Sequence, residues 1–112
     1  MKYNVILTAN FKREVKKLLK RYSSLRNELF ELEQELTANP TIGTDLGNNS
    51  FKIRIAIKSK GKGKRGGGRV ITYVITEDWE VYLLSIYDKS DFDIIDDKIL
   101  KNLIAEIKAD KK

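Results

Sequence analysis

The chain has no cysteine and no histidine, and among its 112 residues only one proline, Pro40, one tryptophan, Trp79, and one methionine. Without cysteine there is no disulfide, no thiolate metal site and no thiol nucleophile. Without histidine the commonest general base and the commonest transition-metal ligand are missing too. Any acid–base chemistry therefore falls to Asp, Glu, Lys, Tyr or Arg. Long apolar runs are also absent. The start, MKYNVILT, is apolar only from Val5 to Leu7, too short for a signal-peptide core, and no window approaches a membrane span. The expectation is a cytoplasmic protein with no membrane association. At this length, with 41% hydrophobic residues, residues 1–112 fit one domain with a modest core.

Positive charge is abundant: 22 Lys and Arg against 16 Asp and Glu give a formal net charge of +6. A polyanionic partner suits that balance, although a lysine-rich solubilising surface gives the same total. Distribution separates the two. From Lys52 to Arg69 the cations form a block with no acidic residue, whereas acids gather in Glu28–Glu35 and Asp88–Asp97. Segregation of this kind marks a binding face.

Periodicity supplies the frame. Tyr3 to Leu7 reads as a short strand. Phe11, Val15, Leu18, Leu19 and Tyr22 recur at helical spacing, with Lys12, Arg13, Lys16, Lys17, Lys20 and Arg21 off that face. After Ser23, Ser24 is placed to cap a second helix with Leu25, Leu29, Leu32 and Leu36 as its stripe, ended by Asn39-Pro40. Thr41 to Ser50 reads as a polar loop. Phe51, Ile53, Ile55 and Ile57 then alternate with Lys52, Arg54, Ala56 and Lys58, which gives a strand with one apolar and one cationic face. RVITYVIT (Arg69 to Thr76) and VYLLSIY (Val81 to Tyr87) read as two more strands joined at Glu77-Asp78-Trp79, with Trp79 in a packing role. Ser90 is placed to cap a last helix, with Asp91 and Asp93 near its start and Ile95, Ile99, Leu103 and Ile107 as its stripe. The order is β-α-α-β-β-β-α: an α+β domain with a small, mostly antiparallel sheet, a helical hairpin on one face and a C-terminal helix.

The segment KSKGKGKRGGGR, Lys58 to Arg69, holds six cations and five glycines between two strands. Gly61, Gly63 and Gly66 spell a literal dinucleotide fingerprint. That motif needs a helix to open on the loop, and here Arg69 opens a strand; the Walker pattern lacks its closing Gly-Lys-Ser/Thr. Nucleotide binding is set aside. The acids Asp91, Asp93, Asp96 and Asp97 lack calcium-loop spacing and read as helix-start charge. What remains is a surface on which Lys52, Arg54 and Lys58 lie across the ladder from Arg69 and Tyr73, under a basic, flexible loop. Cations hold phosphates and aromatic rings stack on unpaired bases, a pairing that suits single-stranded RNA. Cleavage by a ribose 2′-OH needs a base, an acid and oxyanion stabilisation. Guanidinium groups suit the last. Crowded cations move Lys and Tyr toward neutral pKa values, so that either can serve in proton transfer.

At these residues the chain resembles the RelE/ParE superfamily of bacterial toxins, in particular its HigB-like branch. The resemblance runs through FKREVKKLLKRY, ANPTIG, FKIRIAIKSKGKGKRGGGRVITYV and VYLLSIYDKSD, nearly the whole chain in order. It implies a toxin of a type II toxin–antitoxin system. Such a toxin is a metal-independent, cofactor-free endoribonuclease that cleaves mRNA in the ribosomal decoding site, contacts rRNA, and is neutralised by a cognate antitoxin, often of helix-turn-helix type. Carried across, Arg69 is the arginine that stabilises the transition-state phosphate, and Lys64, Tyr73 and Lys89 complete the implied catalytic set. Lys52, Arg54, Lys58, Lys60, Lys62, Arg65 and Tyr87 bind RNA, with either Tyr73 or Tyr87 in the aromatic role. The mRNA-cleaving branch fits better than the gyrase-poisoning branch because the cationic strand faces are so full. A non-catalytic RNA- or ribosome-binding module, or a degenerate toxin kept for antitoxin binding, shares the same sequence features.

Overall fold

The computed structural model describes residues 2–61, 63–92 and 94–111. The elements follow as β1 (Asn4–Leu7), α1 (Ala9–Arg21), α2 (Leu25–Ala38), β2 (Thr44–Gly47), β3 (Ser50–Ile55), β4 (Gly68–Ile75), β5 (Glu80–Asp88) and α3 (Asp97–Asp110). One sheet runs in the order β1-β5-β4-β3-β2. Among the described residues only the β1–β5 pair is parallel; the other three are antiparallel. None of the helices is long and apolar enough to cross a membrane among the described residues.

The helical hairpin covers one sheet face. Phe11 and Leu18 of α1 and Leu25, Leu29, Leu32 and Leu36 of α2 pack on Ile53, Ile55, Val70, Val74, Val81, Leu83 and Ile86. The Thr8 hydroxyl caps α1 by accepting from the Phe11 N–H at 3.2 Å and donates to the Leu83 carbonyl at 2.8 Å, so one side chain starts the helix and ties it to β5. The Glu14 carboxylate accepts from Asn10, the Ser85 hydroxyl and the Ile86 N–H, a second tie between α1 and β5. On the opposite face α3 lays Leu100, Ile104 and Ile107 over Ile71, Tyr73, Leu84 and Tyr87. The expected architecture is therefore present, with three differences of detail.

The polar loop over Thr41 to Ser50 contains a strand. β2 pairs with β3 through Thr44–Lys52, Asp45–Phe51 and Gly47–Ser50. Asn48 and Asn49 both have positive φ, 53° and 62°, which is how a two-residue primed turn matches strand twist. Second, Ser24 stands at the N-cap of α2 but makes no capping bond there. Third, Ser90 does not cap the last helix. Asp96 does, with its carboxylate accepting from the N–H groups of Lys98 at 2.8 Å and Ile99 at 3.3 Å. The stripe is reset accordingly. Ile95 precedes the helix, so counting fours from it lands on Ile99, which is 53% exposed, while Leu100 and Ile104 are buried. Of the acids expected in the first helical turn, Asp91 lies before the helix, and Asp93 lies outside the described residues. Trp79, in left-handed conformation at the β4–β5 turn, packs its ring 5.1 Å from that of Tyr3 while staying partly exposed.

Candidate RNA-binding site

Register across the sheet sets which side chains share a face. Arg54 pairs with Arg69 and Arg69 with Tyr87, while Lys52 pairs with Ile71 and Ser50 with Tyr73. Because side chains alternate, Lys52, Arg54, Arg69 and Tyr73 lie on the face away from the helical hairpin, as parity requires, and Tyr87 joins them; Lys58, expected on the same strand face, instead lies beyond the end of β3 at Ile55. That face is not open along its length. α3 covers β4 and β5 and leaves β3 bare, so Arg54 is exposed and Lys52 half-buried while Tyr73 sits in the second core cluster.

Two residues expected in an open site are therefore corrected. Tyr73 is 6% exposed, packed with Leu100 and Ile104 of α3 in the same cluster. An aromatic ring midway along a sheet strand is the best apolar filler available to an overlying helix, and the helix takes it. Arg69, expected to face solvent, is 1% exposed. Its Nη1 donates to the carbonyls of Lys64 at 2.9 Å and Gly68 at 3.0 Å, and its Nη2 to the carbonyl of Arg65 at 3.0 Å. Lys64 and Arg65 lie outside the sheet ladder, and the guanidinium supplies donors to their carbonyls in a fixed fork.

Lys60 is the third correction. It does not extend toward solvent but points into the root of the loop, where its ammonium meets Asp88 Oδ1 at 2.5 Å, the Ser90 hydroxyl at 2.7 Å and the Gly66 carbonyl at 2.9 Å. The Asp88 side chain is fully buried. It also accepts from the Tyr22 hydroxyl at 2.5 Å and the Ser90 N–H at 2.9 Å, with Arg21 3.4 Å away. Burial by itself raises the Asp88 carboxyl, but the hydrogen bonds from Lys60 and Tyr22, reinforced by Ser90, outweigh it and hold the group well below the usual carboxylate range. The same bond acts in reverse on Tyr22: donating to Asp88, with desolvation added, pushes its hydroxyl pKa up. Tyr22, whose ring lies 6.0 Å from the Lys60 ammonium, is thus held protonated.

The remaining cations stay outside. Lys58, Lys64 and Arg65 are exposed and Lys89 is half-buried. Lys58 sits in a 3-10 turn (Lys58–Lys60) whose start is tied to α2: the Lys58 N–H donates to Glu28 at 2.7 Å and the Ser59 N–H to the Ser24 hydroxyl at 2.9 Å. This is where the Ser24 side chain is engaged instead of capping. The Lys89 N–H donates to the Gly67 carbonyl at 3.1 Å, closing the loop against β5. Gly67 has no alternative at that spot, because a Cβ there would collide with the Ile55 carbonyl oxygen. Lys62 lies outside the described residues. Lys52, Arg54, Lys58 and Lys64 line a groove of about 570 Å³ whose other wall carries Glu28, Glu31 and Glu35 of α2. A cationic wall facing an acidic one orients a bound anion toward the sheet side.

One site residue is missing from the sequence reading. Phe92, in the segment between β5 and α3, stacks on Tyr87 with ring centroids 4.2 Å apart and planes 19° off parallel. Tyr87 is 4% exposed and Phe92 47% exposed, so Phe92 covers the tyrosine and presents an aromatic surface of its own beside the Arg54–Arg69–Tyr87 row. The available signal was a lone aromatic in an otherwise acidic stretch, SDFD.

No family model matches the chain. Among solved structures, that of the E. coli toxin RelE, an arginine-to-alanine double mutant in the free state, is similar with a TM-score of 0.61, covering 96% of this chain and 99% of that chain at 20% sequence identity. The chain has a RelE-like α+β fold.

Proposed function

We propose that this chain is the toxin of a type II toxin–antitoxin pair and an endoribonuclease that cuts mRNA on the ribosome without a metal. The observation that carries the reading is that half-buried Lys52 and exposed Arg54 of β3, Lys58 after it and Lys64 of the loop line one groove, with Arg65 exposed on the same loop and the half-exposed ring of Phe92 stacked on Tyr87 in the Arg54–Arg69–Tyr87 row. Cations take the phosphates and the ring takes an unpaired base, which selects single-stranded RNA over a small acidic metabolite.

In the proposed reaction a ribose 2′-OH attacks the adjacent phosphorus. It loses its proton to a base, the P–O5′ bond breaks, and the 5′ oxygen takes up a proton, leaving a 2′,3′-cyclic phosphate and a 5′-hydroxyl. Arg54, Lys64 and Arg65 stabilise the charge that develops on the phosphoryl oxygens, and Lys64 and Lys89 are the proton-transfer candidates that reach solvent. The natural partners are mRNA within the ribosome, with rRNA contacts, and a helix-turn-helix antitoxin. The compartment is the cytoplasm.

The test is to add the purified chain to a translation reaction and map mRNA 5′ ends. New ends that depend on ribosomes and vanish with Lys64→Ala/Arg65→Ala support the reading. Intact messages from a folded wild-type chain would sink it. A second reading draws on the burial of Arg69 and Tyr73: with both withdrawn from solvent, the exposed cations serve binding alone. In that case the same reaction shows salt-dependent ribosome or RNA binding without new ends. Double-strand DNA breaks without mRNA decay point instead to a gyrase poison.

A further inference from the structure

We infer that Lys60, held by Asp88, is a positioning residue that fixes the shape of the basic loop, and that it does not itself bind RNA. The inference rests on the RNA-binding reading above and assigns roles within that site.

An ammonium has three N–H groups and no acceptor. In Lys60 they meet Asp88, Ser90 and the Gly66 carbonyl, all within 2.9 Å, and the side chain is only 12% exposed. No donor direction is left for a phosphate. The bond to Gly66 spans residues 60 to 66, so Lys60 closes the loop on itself. Arg69 grips the same loop from the other side through the carbonyls of Lys64 and Arg65, the two residues whose side chains point outward. The backbone of Lys64–Gly66 is thus held by two internal cations, and the side chains of Lys64 and Arg65 are left exposed on a fixed base.

Asp88 is what makes this geometry persist. It gathers Lys60, Tyr22 and the Ser90 N–H from three separate segments. The charge of Lys60 is consequently compensated inside the protein. A cation already neutralised by a buried carboxylate releases no counterion from RNA, so its removal leaves the salt dependence of binding unaltered. This separates a positioning role from a contact role.

The measurement is binding of a short single-stranded RNA by fluorescence anisotropy over a range of salt, on wild type, Lys60→Met, Asp88→Asn, the double variant and Lys64→Met. A loop that adopts its competent shape a tenth of the time binds about tenfold more weakly. Lys60→Met and Asp88→Asn are each expected to weaken binding by about that factor at fixed salt, with the slope of log affinity against log salt unchanged. The double variant is expected to lose little more than either single one. Lys64→Met is expected to flatten the slope by about 0.7, one single-strand phosphate contact. A slope change for Lys60→Met equal to that of Lys64→Met, or additive losses in the double variant, would overturn the inference.

Should Lys60→Met fail to fold, amine acylation of the wild-type chain decides instead. Lys60 is expected to be protected with and without RNA, while Lys64 reacts freely and is protected by RNA. Rapid labelling of Lys60 that RNA suppresses overturns the inference. A wild-type chain that binds no RNA at all would remove the functional reading and this role in it together. Failure confined to Lys60 leaves that reading standing.

Discussion

Two stretches of this chain carry lysine and arginine at similar density, and the fold uses them in opposite ways. On α1, Lys12, Arg13, Lys16, Lys17 and Lys20 are all exposed. Between Lys58 and Arg69 the described cations divide: Lys58, Lys64 and Arg65 face out, while Lys60 and Arg69 turn in. The difference lies in the backbone. In a helix interior each carbonyl already accepts from the N–H four residues on, so a lysine finds no acceptor inside and remains in water. In a glycine-rich loop the carbonyls have no ladder partners, and burying that backbone requires donors from elsewhere. Cations near such a loop are recruited inward until its carbonyls are satisfied, and the surplus faces out. Charge density along a sequence therefore does not distinguish a cation that binds a partner from one that holds the frame.

Arg69→Ala is expected to have the largest effect on the inward set. It deletes donors to three carbonyls at a site that is 1% exposed. With a fully buried side chain and its three hydrogen bonds removed, the expected loss is about 3 kcal/mol or more, a fall in Tm beyond about 10 °C in a thermal melt. A variant melting within a degree or two of wild type would return Arg69 to the outward set.

Asp88→Asn comes next and adds a pH signature. Removing the charge leaves the Lys60 ammonium without its buried counter-charge, at an expected cost of about 2–3 kcal/mol near neutral pH. The folded pKa of Asp88 is depressed below its unfolded value. Its stabilisation is therefore fully present above about pH 4, the unfolded range, and is lost as pH falls from there toward the folded pKa. Denaturant melts between pH 6 and pH 3 should show the wild-type chain losing more stability than Asp88→Asn over that interval. Parallel curves would mean that Asp88 titrates alike in both states.

How far the sequence carried the reading follows the same physics. The period of 3.6 placed α1 and α2, and the period of 2 placed β3, because both patterns are written by a core on one side and water on the other. β2 was not legible: Thr44–Gly47 is exposed throughout, so no burial wrote a pattern into it, and Asn48-Asn49 was the only cue. The last helix was legible but misphased, since Ile95 belongs to the core yet precedes the helix. At the site, parity identified the face correctly, but α3 docking there is a tertiary event with no local mark on Tyr73. The engagement of Lys60 with Asp88 spans 28 residues, and nothing in KSKGKGKRGGGR distinguishes that lysine from its neighbours. Phe92 became visible only once Tyr87 was found beneath it.

The smallest effects on stability give the sharpest functional contrast. Lys64→Ala and Arg65→Ala on the loop, and Lys16→Ala and Lys17→Ala on α1, each truncate an exposed cation. All four should leave stability within about 0.5 kcal/mol of wild type. If the outward loop cations are RNA ligands and the α1 cations a solvated face, single-strand RNA binding separates them. Each loop substitution should flatten the salt slope by about 0.7, while the α1 substitutions leave it in place. The overall +6 charge acts on both sets alike, so a purely long-range attraction predicts four similar, small losses of affinity at low salt that fade within a Debye length's worth of screening. Equal slopes for all four variants would therefore erase the functional half of the comparison. They would make α1 and the loop one diffuse cationic surface, while leaving intact the structural half, in which Lys60 and Arg69 hold the loop from within.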